Sequence, residues 1–336
     1  MRTIYYLDDL KHFINFIEIN AKGEINFRGQ SYDGDDFPDA IAEVRLLHNL
    51  ANLLYVACYT RSGKLKQDDL IDRNEADLFL TAVREANTSI ETYDCGWVVE
   101  GIEHGCNVLV RKGGNKRYTY AGDFLRENFT QGQLQPGDSV NIRIVPEYDL
   151  LPGTMEVFYF VVGETLLENN NSAIVRVYFN LMPDGVAPLV AWLSQTMNRY
   201  NIPFQFKCLN RPDLYTRCDA GVLYIDKRYF NFVSELLLGS YSIFKIRLKH
   251  QVPMFTRIIA PGIGFAENPF SPTESFGTSR CKIIAQGIVD AWKEKQSKDR
   301  WIDFILETIY ANYLQPEALY LNPNSKYPYH FPDFEN

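Results

Sequence analysis

Residues 174–181, Ile-Val-Arg-Val-Tyr-Phe-Asn-Leu, alternate strictly from Val175 onward between two kinds of side chain. In an extended strand successive side chains point to opposite faces. Val175, Val177, Phe179 and Leu181 therefore share one face, and Arg176, Tyr178 and Asn180 share the other. A helix with this pattern would scatter its apolar groups around the axis. The stretch thus commits this part of the chain to a sheet with an apolar face on a core and a polar row on the other side.

Residues 202–224, IPFQFKCLNRPDLYTRCDAGVLY, read as strand, loop and strand. Lys207 stands in an otherwise apolar run with Phe204, Phe206, Cys208 and Leu209. A buried, unpaired ammonium is costly. Lys207 is therefore paired, or neutral and usable as a base, or an edge lysine whose head reaches water. Arg217 precedes Asp219 by two residues, which allows a local ion pair or a place for an anion. Tyr224 lies on the second strand. Arg280 follows Gly277 near the expected start of a helix, where backbone N–H groups favour an anion, or it is an ordinary surface arginine.

The rest of the chain divides by texture at about residue 165. Residues 1–165 are expected to be helical and then β, a region suited to holding a peptide or partner. Helices are expected over 8–20, 39–59 and 75–86. Short strands are expected over 97–102, 106–110, 116–120, 139–146 and 155–162, as a meander or small barrel. Gly113 and Gly114, flanked by basic residues and followed by no helix, read as a hairpin tip rather than a phosphate loop. Residues 166–336 are expected to be α+β, with helices over 184–200, 229–238, 279–294 and 299–313, an irregular loop over 253–272 and an extended tail from Gln315. The predicted class is α+β, a helical and small antiparallel β N-terminal region followed by an α+β half.

Composition removes several classes. The formal net charge of -8 argues against nonspecific binding to nucleic acid or to an anionic membrane, since both need a basic face. No apolar run reaches spanning length, and the first residues have no apolar signal segment. The six cysteines form no C-x-x-C pair, so they are expected as free thiols in a cytoplasmic protein, with no zinc site. No G-x-S-x-G and no obvious Cys/His pair or catalytic carboxylate pair stands out.

The cluster Arg176, Tyr178, Asn180, Lys207, Arg217, Tyr224 and Arg280 suits elimination of phosphate. A neutral lysine removes an α-proton, arginines neutralise the departing phosphate, and a tyrosine orients or protonates. This chemistry needs no cofactor.

The runs VYFNLMPDG, IPFQFKCLNRPDLYTRCDAGVLYI, VPMFTRIIAPGIGFAENP and ESFGTSRCKIIAQGI resemble the Hop-type effector family (A-one class), over residues 173–291. The resemblance implies a phosphothreonine-lyase-like domain. Some stand-alone relatives found with lanthipeptide and thioamitide biosynthesis are implied to be phosphoserine/phosphothreonine lyases. They act on a phosphorylated precursor peptide beside a separate kinase and leave dehydroalanine or dehydrobutyrine. The core block also resembles the effector phosphothreonine lyases, in which a lysine base, a phosphate-binding arginine and a tyrosine follow in order. Lys207, Arg217 and Tyr224 match that order, and Arg280 matches a later phosphate-binding arginine. Those lyases carry a Lys-x-His strand with a histidine acid. Here the strand is Arg176-Val177-Tyr178-Phe179-Asn180, which leaves Tyr178, the weaker candidate His250, or no acid at all. The other reading is a non-catalytic protein that binds a phosphopeptide or another protein through the same pocket.

Overall fold

A computed structural model describes residues 6–32, 41–62, 73–103, 107–127, 132–149, 157–168, 170 and 172–332. Helix α1 (Leu7–Ile14) stops well short of the expected residue 20. The β-branched residues after it enter a small antiparallel sheet of β1 (Ile17–Ile19), β2 (Ile25–Phe27) and β3 (Gln30–Tyr32). Helix α2 (Ala42–Leu53) buries Leu46, Leu50 and Leu53 and runs without a break into a π-helical turn, Leu54–Tyr59. Helix α3 (Arg73–Ala86) follows.

A five-stranded antiparallel sheet comes next: β4 (Thr92–Ile102), β5 (Asn107–Lys112), β6 (Asn115–Tyr120), β7 (Phe124–Arg126) and β8 (Ser139–Ile144), in the order β6-β5-β4-β8-β7. Trp97, Val99, Val108, Val110, Val140 and Ile142 form its own small core. Gly113 and Gly114 are the β5–β6 hairpin tip, as their flanks predict, with Gly113 at φ +57°.

The third sheet has seven strands: β9 (Glu147–Asp149), β10 (Phe158–Val162), β11 (Ile174–Phe179), β12 (Phe204–Leu209), β13 (Gly221–Asp226), β14 (Arg257–Ala260) and β15 (Ile263–Glu267). Their order is β14-β15-β11-β13-β12-β10-β9, and each neighbouring pair is antiparallel. Two expectations change here. The strand expected over 155–162 leaves the meander and pairs β10 with β12; its residues 155 and 156 lie outside the described residues. The stretch expected as an irregular loop holds the β14–β15 hairpin. Its Pro261-Gly262 pair is the hairpin turn, with Gly262 at φ +78° and a β-carbon there only 2.3 Å from the Lys249 carbonyl.

Apolar side chains of this sheet meet helices on both faces. Val175, Val177, Phe179, Phe206 and Leu223 pack with α4 (Val186–Arg199) and α5 (Phe230–Phe244). Tyr178, Val222 and Ala266 belong to a second core with α2, its π turn, α6 (Phe276–Lys293) and α7 (Lys298–Ala311). This is an α+β fold with the central sheet between helical layers. The tail runs back across the end of β15, where Glu267 accepts from the Asn322 backbone, Ser325 and Tyr329. Cys58, Cys208, Cys218 and Cys281 are buried thiols and Cys95 is exposed, while Cys106 lies outside the described residues. Among the described residues no helix is long and apolar enough to cross a membrane.

Candidate functional site

Register assembles the site. Gln205 faces Tyr224, which faces Arg176; Lys207 faces Val222, which faces Tyr178. Directly opposed residues of an antiparallel ladder point to the same face. Arg176, Tyr178, Lys207 and Tyr224 therefore share one face of β11, β13 and β12. Strand spacing puts the Lys207 and Tyr178 backbones roughly 10 Å apart across that face.

Two groups of contacts divide this face. On the β11 side, Arg176 donates from Nε to Asn268 Oδ1 at 2.6 Å and lays its guanidinium 5.1 Å from the Tyr224 ring centre. On the β12 side, Lys207 Nζ stands 3.8 Å from the centre of the Phe158 ring. Phe158 also carries the Arg217 guanidinium, at 5.9 Å. Arg217 grips Asp219 with two hydrogen bonds, 2.5 Å from Nε and 2.7 Å from Nη2, and Nη2 also donates to the Tyr55 hydroxyl at 3.1 Å. The local ion pair anticipated for Arg217 is thus formed. Burial works to raise the Asp219 pKa, but the charge and hydrogen bonds of Arg217, with help from Lys207, hold it below the ordinary value.

Tyr55 and Tyr59, which sequence reasoning did not single out, connect the two groups. Their rings stack at 5.3 Å on the π turn, beside Asp219 and Tyr178. One extra residue per turn is a frequent device at functional sites. The signal available in the sequence was a pair of tyrosines four apart at the end of an apolar helix. A β-carbon on Gly277 of α6 would stand 2.4 Å from the Tyr59 ring, so only glycine lets α6 come this close.

Tyr178 is 2% exposed, and its hydroxyl is enclosed beside the Arg176 guanidinium and the Tyr59 hydroxyl. Burial pushes its pKa up to about 12. Asn180 is 3% exposed and donates to the Gln251 carbonyl at 2.8 Å, tying the end of β11 to the segment before β14. His250, in the same segment, is exposed.

Arg280 departs from expectation. Helix α6 begins at Phe276 after a Ser275 cap, so Arg280 lies beyond its first turn. It is 3% exposed, and it donates to the Leu319 and Leu321 carbonyls at 2.8 Å each and to Ser279 Oγ at 3.2 Å. Burial lowers its pKa to about 10. Its guanidinium is occupied by the C-terminal segment, which the sequence could not reveal because those carbonyls are some forty residues away.

A cleft of about 710 Å³ opens onto the β11 side. Arg176, Gln205, Tyr224 and Asn268 line one part of it; Trp97 and Arg117 of the five-stranded sheet line another. The structure thus brings Arg176 and Tyr224 to open space, holds Lys207 and Arg217 together around Phe158, and buries Tyr178, Asn180 and Arg280.

Residues 152–321 match the HopA1 effector protein family. No functionally curated protein matches the chain. Similar solved structures include two effector proteins. The effector protein from Pseudomonas syringae pv. tomato strain DC3000 has a TM-score of 0.47 at 12% identity, covering 87% of this chain and 93% of that one. The effector protein from Pseudomonas syringae pv. syringae strain 61 has a TM-score of 0.46 at 13% identity, covering 85% and 91%. The family match takes in β10 to β15, the candidate side chains on them and the C-terminal carbonyls that hold Arg280, and on that span the chain belongs to the HopA1 effector protein family.

Proposed function

We propose that this chain is a phosphoserine/phosphothreonine lyase. It eliminates phosphate from a phosphorylated precursor peptide, leaving dehydroalanine or dehydrobutyrine, after a separate kinase has installed the phosphate. The observation that carries the reading is the shared face of Lys207, Tyr224 and Arg176 on three adjacent antiparallel strands.

Lys207, as the base, takes the α-proton of the phosphorylated residue. The C–H electron pair becomes the Cα–Cβ double bond, the Cβ–O bond breaks, and phosphate leaves with that bonding pair. Arg176 has Nε engaged by Asn268 and faces the Tyr178 hydroxyl, and its guanidinium supplies positive charge for the anion at the cleft. Arg217 uses Nε and Nη2 on Asp219 and Tyr55, leaving Nη1 for phosphate. Tyr224 lines the cleft beneath Arg176 and is better located to protonate the leaving oxygen than the enclosed Tyr178.

Mass spectrometry of phosphothreonine and phosphoserine peptides, with the intact chain and with Lys207→Ala, tests the reading. The expected product of the intact chain is an alkene that traps a thiol, absent with Lys207→Ala. A hydroxyl product would mean a phosphatase. Intact phosphopeptide, even with the kinase and precursor supplied, would mean a phosphopeptide-binding protein instead.

A further inference from the structure

The proposed elimination uses one part of the cleft and leaves the part formed by the five-stranded sheet without a role. Four consecutive residues of β6, Asn115 to Tyr118, line it. Side chains alternate faces along a strand. A wall built from consecutive residues is therefore the strand's edge, and β6 is an edge strand of its sheet. Edge strands present unpaired backbone N–H and C=O groups that an extended peptide can join.

The charges on this edge differ. Lys116 is paired with Glu100 at 2.7 Å, and Lys112 beside the tip with Asp94 at 2.9 Å. Arg117 is half-buried, lines the cleft, and has no hydrogen-bond or ion-pair partner among the described residues. Burial lowers its pKa, with Asp94 the acidic group that offsets this. A partly desolvated guanidinium without a partner is a place for an anion.

We infer that the cleft seats an extended peptide along the β6 edge, and that Arg117 binds the carboxylate of an acidic residue flanking the phosphorylated one. The volume of about 710 Å³ is in the ordinary range for a ligand site. This inference rests on the lyase reading only in setting the phosphorylated residue at the Arg176 side.

The test reads binding, so that it stands apart from turnover. Labelled alanine-based peptides with one central phosphothreonine carry a glutamate walked through the flanking positions, and fluorescence anisotropy gives each Kd. At one or two positions on one side, glutamate tightens binding about tenfold over alanine, the scale of one charge-assisted hydrogen bond. Arg117→Ala removes that gain. Arg117→Glu reverses it, so that lysine at the same position binds better than glutamate. Arg111→Ala, on the neighbouring strand, leaves the gain in place. Thermal melts of each variant verify folding. The inference is overturned by equal binding of glutamate and alanine peptides, by a glutamate gain that survives Arg117→Ala, or by no saturable binding at all. A glutamate preference without elimination would retain it and sink the lyase reading.

Discussion

Lys207 and Phe158 meet across the β10–β12 ladder, with the Lys207 Nζ 3.8 Å from the centre of the aromatic ring. The negative face of the ring attracts the N–H hydrogens of the lysine head. The contact fixes the head of a side chain that would otherwise sweep a wide volume. For an amine that must meet an α-proton, that fixing is orientation. Lys207→Ala should lower elimination at least ~100-fold while phosphopeptide affinity changes little. Phe158→Leu keeps the amine and loses the ring, so its expected effect is smaller and falls on kcat. Single-turnover mass spectrometry with anisotropy on the same peptides separates the two. Equal loss of binding in Lys207→Ala would remove the lysine from the role of base.

Arg217 and Asp219 are a buried pair, with side-chain exposures of 22% and 8%. Removing one partner strands the other charge, a change that typically costs about 3–5 kcal/mol. Arg217→Ala should therefore lower the urea midpoint strongly, and Arg217→Ala/Asp219→Ala less than the two single effects combined. Additive losses in that double-mutant cycle would mean that the two side chains do not couple.

The same pair sets an acid limit. Because Asp219 ionises below its ordinary value in the folded chain, the unfolded chain takes up this proton first as pH falls. The stabilisation is complete above the ordinary aspartate value of about 3.9 and is lost as pH drops through the folded value. Urea midpoints followed downward from about pH 6 should fall less steeply in Asp219→Asn than in the parent. Identical slopes would assign the acid sensitivity to other carboxylates.

Tyr178 and Tyr224 are separated by their surroundings. Tyr178→Phe removes a buried hydroxyl that lies beside Arg176 and Tyr59, so stability should fall by about 1 kcal/mol. Turnover should change only a few-fold. Tyr224→Phe should lower turnover by about two orders of magnitude with little effect on stability. The reverse result would move the proton-transfer role to Tyr178.

Arg280 holds two carbonyls of the C-terminal segment from inside α6. Hydrogen bonds to charged groups contribute about 1.5–3 kcal/mol each. Arg280→Met should lower the melting temperature and expose residues near Leu319 to limited proteolysis. A stable, protease-resistant Arg280→Met that had lost phosphopeptide affinity would return Arg280 to phosphate binding.

The sequence by itself determined which residues make the strands of the site and which face each side chain takes. Strict alternation over 175–181 allows no other outcome than Arg176 and Tyr178 on one side, because the strand period is two. It also marked most of the helices, whose apolar stripes are local, and the α+β class that follows from both. The family membership was legible in ordered blocks of the same region.

Tertiary structure alone decided what those side chains touch. Arg217 could be read as an ion pair or an anion site, and the loop geometry chose Asp219. Arg280 looked like a helix-start arginine until the chain returned to cover it with two carbonyls. Tyr55 and Tyr59 reach the site because a glycine on a distant helix lets the π turn approach. β10 belongs to the large sheet because its partner β12 lies more than forty residues away. Each of these depends on contacts far apart in sequence, where local pattern carries no information about distance. Hydrophobic periodicity reports which face is buried, but not what it is buried against.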